Sequence, residues 1–331
     1  MNGIEDPGDG GGAPMFHLVN GDLCSANDIP GNIPAIWRDY SVNVSRSAMH
    51  RPWMPILGNH EVESGKTALS GAPGSTGGLN GPYGHGSYLC PLSSDQGNGT
   101  DLGIRQAWLP LFDEYEVDLV LSGHEHVFER SYPVRGYDHG DFGTVTTAFT
   151  TAQGVSYPAG AAFNTRRPTV AATSPTVTVN GQEAFDTSKG TVFCVLGGGG
   201  ASTTYGYVTD PADGLREARV WTTLNPSGPE YGGNQAREDA PWSAQADSGD
   251  SHGYAIFDVD PGRERGDTTI TVQWFQLATV NPGATPVMPT TSYSKVTYGR
   301  SARWDPRHHP APHDQIAAGG TVGNIGGATA F

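Results

Sequence analysis

Positive charge is what this sequence has least of. Nineteen Lys and Arg stand against 34 Asp and Glu over 331 residues, a formal net charge of −15. A nucleic-acid partner needs a basic footprint along its phosphates, so that class is excluded. A small phosphorylated ligand is not, because bound metal ions supply local positive charge. Cysteine is scarce as well. Cys24, Cys90 and Cys194 make neither a disulfide framework nor a zinc-site spacing, and they read as buried thiols. No apolar run approaches the ~20 residues of a membrane-crossing helix, so no membrane partner is expected. The opening residues, MNGIEDPGDGGGAP, are polar and Gly-rich. They read as no secretion signal, with residues 1–13 a disordered or linker remnant.

What is present centres on VDLVLSGHEHVFER, Val117–Arg130. The apolar run Val117–Leu121 reads as a buried, central strand. Gly123 is expected to permit a sharp exit from it. His124 and His126 follow, and imidazole is a common ligand of zinc and iron. From the alternation of side chains along an extended segment, the pair is read as serving two different ions better than one. The same grammar occurs twice upstream. Phe16–Asn20 runs into Gly21-Asp22, and Met54–Leu57 runs into Gly58-Asn59-His60-Glu61. In open α/β sheets, ligands collect outside the carboxyl ends of strands. Three such ends bring Asp22, Asn59, His124 and His126 together, a mixed O/N set suited to iron, zinc or manganese.

GD, then GNHE, then GHEH, in this order, resembles the calcineurin-like metallophosphoesterases. The longer stretch RQAWLPLFDEYEVDLVLSGHEHVFERSYP resembles the purple acid phosphatase branch of bacterial, actinobacterial type. The likeness covers residues 14–62 and 97–137 well, and 190–200 and 253–275 more loosely. It implies an α/β fold: a two-sheet sandwich flanked by helices (α/β/β/α), incomplete at the N-terminus. It implies a metal-dependent hydrolysis of small phosphomonoesters, and an extracellular or periplasmic location. By the family pattern Asp22 bridges two metals, Asn59 and His124 complete the second, and His126 binds the first. His60 is then no ligand but a donor to the phosphate or leaving group.

This chain departs from that pattern in several places. No strand precedes Met15 to carry the family's first Asp motif. The tyrosine three residues after the bridging Asp, whose phenolate gives the family its colour, is replaced by Ser25. The intermediate His strand is replaced by Tyr88-Leu89-Cys90-Pro91, and His85 is the histidine nearby. The spacing from GNHE to GHEH is short. An N-terminal truncation plus an internal deletion accounts for these features, and it implies less than a full metal pair. The alternative is a remnant that keeps the fold and binds metal or phosphate without turnover.

The domain is expected over 14–280. Pro34–His50 reads as a helix between two parallel strands. Residues 62–100 read as a long flexible loop at the deletion. Asp101–Tyr115 reads as a helix with Ile104, Trp108, Leu111, Phe112 and Tyr115 on its buried face, kinked at Pro110. The second half reads as strand-rich, with Tyr254–Val259 and Thr269–Leu277 as a closing antiparallel pair. Gly197–Gly200 reads as a tight turn beside the site, and 281–331 as an irregular tail.

Overall fold

In the computed structural model, the described residues are 14–20, 23–24, 32–55, 90–96, 99–150, 154–199, 206–221, 235–247, 252–263, 267–277 and 292–300. The expected opening unit is present. Strand β1 (His17–Val19) leads through the helix Ile33–Ala48 to strand β2 (Trp53–Pro55), and the two strands pair in parallel. Trp37 and Val44 are half-buried on that helix, and Pro34 in its first turn costs no hydrogen bond. Ser47, near the helix end, ties helix to sheet. Its hydroxyl accepts from Trp53 Nε1 at 3.0 Å and lies 3.0 Å from His17 Nε2.

A short strand β3 (Thr100–Asp101) precedes the second helix, Leu102–Glu114, which leads to β4 (Leu119–Ser122) and β5 (Phe128–Ser131). A four-stranded sheet has the order Ser243–Ala246, β5, Val192–Leu196, β4. β5 and Val192–Leu196 are therefore the inner strands. The Val117–Leu121 run expected to be central and buried supplies β4, a half-buried strand at the end of that order. A five-stranded sheet runs Thr176–Val179, Gln182–Asp186, Ser294–Gly299, Thr269–Leu277, His252–Asp260. Its last pair is the expected antiparallel one, in register over nine residue pairs.

The two sheets share a core of Val192, Cys194, Val272 and Tyr298, with Leu119, Leu121, Ala255 and Val296 packed against it. Alternate residues Val120 and Phe193 face the other way, onto Leu109 and Phe112 of the second helix. The arrangement is compatible with a sandwich carrying a helix on one side. Strand is the commonest secondary structure among the described residues. The cause is residues 134–246, where Thr, Val and Gly alternate into short strands, several of them in a six-stranded sheet of their own.

Three further expectations are corrected. The buried face of the second helix carries Leu102, Arg105 and Leu109, while Trp108, Leu111 and Tyr115 are exposed. Two stripes at helical spacing coexist there, and Arg105 decides between them. It is 1% exposed because Nη1 lies 2.7 Å from Glu238 Oε1, whose other oxygen accepts from Thr165. Pro110 lies within this helix without ending it. Within the stretch expected to be a flexible loop, Cys90, Leu92, Ser93, Ser94 and Asp95 are buried; residues 56–89 lie outside the described set. Within the expected irregular tail, Ser294–Gly299 is an inner strand of the five-stranded sheet. Its one large apolar residue, Tyr298, is too little alternation to stand out in the sequence.

Candidate functional site

The GHEH segment leaves β4 as two successive tight turns. Glu125 N donates to Gly123 O and Val127 N to Glu125 O, both at 2.8 Å. His124, at the centre of the first, has φ +67°. A hydrogen bond across two residues with positive φ at the middle one is the rarer, strained form of the γ-turn. Such strain on a non-glycine residue persists only where the surroundings enforce it, and it clusters at functional sites.

The surroundings are close-packed backbone. A Cβ on Gly123 would collide with the Asn20 carbonyl, and one on Gly197 with the Glu125 carbonyl. Gly197 N donates to Val127 O at 3.1 Å, and Gly253 N to Gly198 O at 2.8 Å. Gly123 is thus required for close approach, and the positive φ falls on the next residue, His124. Three carboxyl strand ends meet at this point: β1 through Asn20, β4 through Gly123 and Val192–Leu196 through Gly197. Strand β2 runs parallel beside β1 and ends at the same side.

Burial alternates along the loop. Gly123, Glu125 and Val127 are buried, and His124 and His126 are half-buried. The remaining expected site residues, Asp22, Asn59 and His60, lie outside the described residues, as do Ser25 and His85. Asp22 follows Asn20 by two residues, and Asn59 follows Pro55 by four.

Beneath the loop lies Cys90, fully buried with Val127, Val195 and Tyr207. Its Sγ donates to Gly123 O at 2.9 Å and lies 3.5 Å from Ser122 Oγ. Burial pushes this thiol well up, and the Glu125 carboxylate adds to the shift. Cys90 is a neutral S–H prop under the glycine, and none of the three cysteines is in a disulfide. The sequence reading missed a second support. Glu129, on β5 three residues after His126, is 2% exposed. It accepts from Ser93 Oγ (3.0 Å), Ser94 N (2.8 Å), Ser94 Oγ (2.5 Å) and Ser243 Oγ (2.5 Å). The available signal was a glutamate inside the otherwise buried run Val127–Ser131.

The two imidazoles of this loop are chemically suited to a transition metal. Among the described residues no group of three or more His, Cys, Asp or Glu gathers to hold an ion.

Two proteins of Mycobacterium tuberculosis, from strains CDC 1551 and H37Rv and both named as uncharacterized, are each 31% identical over 332 residues. The match covers 80% of this chain and 57% of theirs, so the chain spans a little over half the length of these curated relatives. Purple acid phosphatase 5 of Arabidopsis thaliana is 25% identical over 153 residues, 34% of this chain and 37% of that protein. No family model matches the chain. The partial similarity to a plant purple acid phosphatase points to the metallophosphoesterase superfamily and to a hydrolase.

Proposed function

We propose that this chain is a metal-dependent phosphoric monoester hydrolase of purple acid phosphatase type, acting on small phosphomonoesters outside the cytoplasm. The observation that carries this reading is the meeting of strand ends at Gly123. Backbone contact with Asn20 brings the end of the GD strand to the start of GHEH, and the parallel β1–β2 pair ends at that side, ahead of GNHE. The partial similarity to the Arabidopsis enzyme supports the same reading.

In this reading Asp22 is the bridging carboxylate, Asn59 and His124 hold the second metal, and His126 serves the first. Iron, zinc or manganese held there supplies charge to offset the phosphate and lowers the pKa of water. His60 donates a hydrogen bond to the phosphate or a proton to the leaving oxygen. The strained loop fixes the two imidazoles before any ligand arrives, and Cys90 beneath Gly123 closes the floor to solvent. Ser25 offers no phenolate, so the iron-loaded protein is expected not to be purple.

A second reading rests on the ligand count. The first-metal position keeps only Asp22 and His126, as expected of a remnant that binds metal or phosphate without turnover. Elemental analysis after dialysis, paired with a chromogenic phosphomonoester and added Mn, Zn or Fe, separates the two. The expected result is at most about one tightly held ion per chain on this ligand count. Turnover should be weak and respond more to Mn or Zn than to iron. Asp22→Asn should lower both metal content and turnover more than His60→Ala does. Equal metal loss in the two variants would overturn the assigned roles, and absence of turnover with every metal would leave the remnant.

A further inference from the structure

We infer that this protein forms a closed dimer by pairing strand His252–Asp260 antiparallel with the same strand of a second copy, about a twofold axis at Phe257. His252–Asp260 ends the order of the five-stranded sheet, and among the described residues no strand covers its outer edge. Its nine residues stay in register with Thr269–Leu277 without a bulge. Two hydrogen bonds show which of its backbone groups face outward. Gly253 N donates to Gly198 O, away from the pairing strand. Trp274 O, opposite Ala255, accepts from Tyr293 N on its own far side, so it is not spent on Ala255. In an antiparallel ladder the N–H and C=O of one residue point the same way, and residues two apart agree. The outward groups are therefore those of Ala255, Phe257 and Val259, and none of them has a backbone partner among the described residues. Such a row is a template for a further strand. Lysine, proline and bulges commonly blunt an edge of this kind, and the run HGYAIFDVD contains none of them.

The side chains decide which strand fits and in what register. Ala255 and Phe257 pack on the core shared by the two sheets, and Val259 beyond them is 56% exposed. Tyr254, Ile256, Asp258 and Asp260 alternate onto the other face. With the axis at Phe257, the two Phe257 rings are neighbours and Ala255 meets the partner's Val259. On the other face Asp258 meets the partner's Ile256, and Asp260 the partner's Tyr254. No acid stands directly opposite an acid. An axis at Val259 would set Asp258 against the partner's Asp260 on both sides, and like charges directly opposite are destabilising. An axis at Ala255 would need the Gly253 N–H, which Gly198 already holds. One register therefore remains, and a twofold contact of this kind closes after two copies. A single strand edge is a small contact, so the dimer is weak. Each copy carries a formal −15, and Asp258 lies diagonal to the partner's Asp258 at about 7–8 Å. Added salt screens both repulsions and should favour association.

The test is sedimentation equilibrium of the full chain across the micromolar range, at ionic strengths of about 0.01 and 0.15 M. A monomer–dimer equilibrium is expected, tightening several-fold at the higher salt. Val259→Pro removes one outward N–H from each copy at a position where an edge strand tolerates proline. It should raise the dissociation constant about tenfold or more, because two hydrogen bonds are lost per dimer. Asp258→Asn removes the diagonal repulsion and should tighten the dimer several-fold at low salt, a gain that misfolding cannot mimic. Three results would overturn the inference. One is a monomer at every concentration and both salts, and another is a dimer indifferent to both substitutions. The third is growth past the dimer into open-ended assemblies, the outcome if this edge meets Thr176–Val179 at the sheet's other end. None of them bears on the hydrolase reading, which does not depend on this edge.

Discussion

The two ends of strand β4 are held by different means. At its entry, Arg300 Nη2 lies 2.5 Å from Glu116 Oε2 and Nη1 lies 2.9 Å from Asp118 Oδ1, and Thr187 donates to the same Asp118 oxygen at 2.5 Å. At its exit, glycine backbone touches backbone: Gly123 against Asn20, with Gly197 against Glu125. The entry uses charged side chains because nothing else is asked of them. The exit uses glycines, whose missing side chains let the backbones meet. Charge can be rearranged with little loss at one end, whereas a single methyl group is excluded at the other.

Four experiments break or sharpen that contrast, and the largest effect lies away from both ends. Arg105→Ala strands the Glu238 carboxylate, itself fully buried. Breaking such a pair by removing one partner costs about 3–5 kcal/mol. Urea denaturation should show that loss, with the metal affinity of the folded fraction unchanged. Next comes Gly123→Ala, where backbone must move to admit the Cβ. Overpacking costs about 1–3 kcal/mol, and metal retention after dialysis should fall much further than stability does. A variant that binds metal as well as the parent would show that the close approach is incidental to the site. Arg300→Ala is the counterpart at the entry. The guanidinium is 18% exposed on its side chain and Asp118 41%, so solvent screens the pair and the loss should be on the order of 1 kcal/mol or less. Metal content should not change.

The smallest effect is a pH dependence at Glu129. Burial raises its pKa above the ordinary 4.5, with the serine hydrogen bonds pulling the other way. The folded state therefore binds this proton more tightly than the unfolded chain does. The contribution of Glu129 to stability should rise as pH falls through its folded pKa and level off below about 4.5. Compared with Glu129→Gln by denaturation between pH 4 and 7, the parent should gain relative stability towards the acid side. A gain towards the alkaline side would mean that the four donors outweigh burial.

Much of the site was legible because it is local. Gly-His-x-His after an apolar run, and the parallel β1–β2 unit around a helix, are encoded within a few dozen residues. What was not legible depends on distant partners. The burial of Arg105 is not encoded locally, because its partner Glu238 lies 133 residues away. Ser93 and Ser94 looked like loop because their partner is Glu129. The glycine at 123 is spent on the close approach to Asn20, and the strained positive φ falls on His124, where residue preference gives no hint of it. Ser294–Gly299 was lost in the tail for the same reason, since its pairing partners lie upstream in the chain.

That last strand also sets a schedule for synthesis. It lies between Gln182–Asp186 and Thr269–Leu277, parallel to the first and antiparallel to the second. The growing polypeptide thus makes one neighbour and must leave a gap in the sheet for roughly 100 residues, about 5–20 s at ordinary elongation rates. Throughout that interval Phe185 and Val192 await cover from Tyr298 and Val296. A nascent chain stalled before Ser294 exposes an unpaired strand edge, the feature most prone to pairing with a neighbour on the same polysome. Slower production at low temperature should therefore improve the soluble yield more than any change at the protein's finished surface.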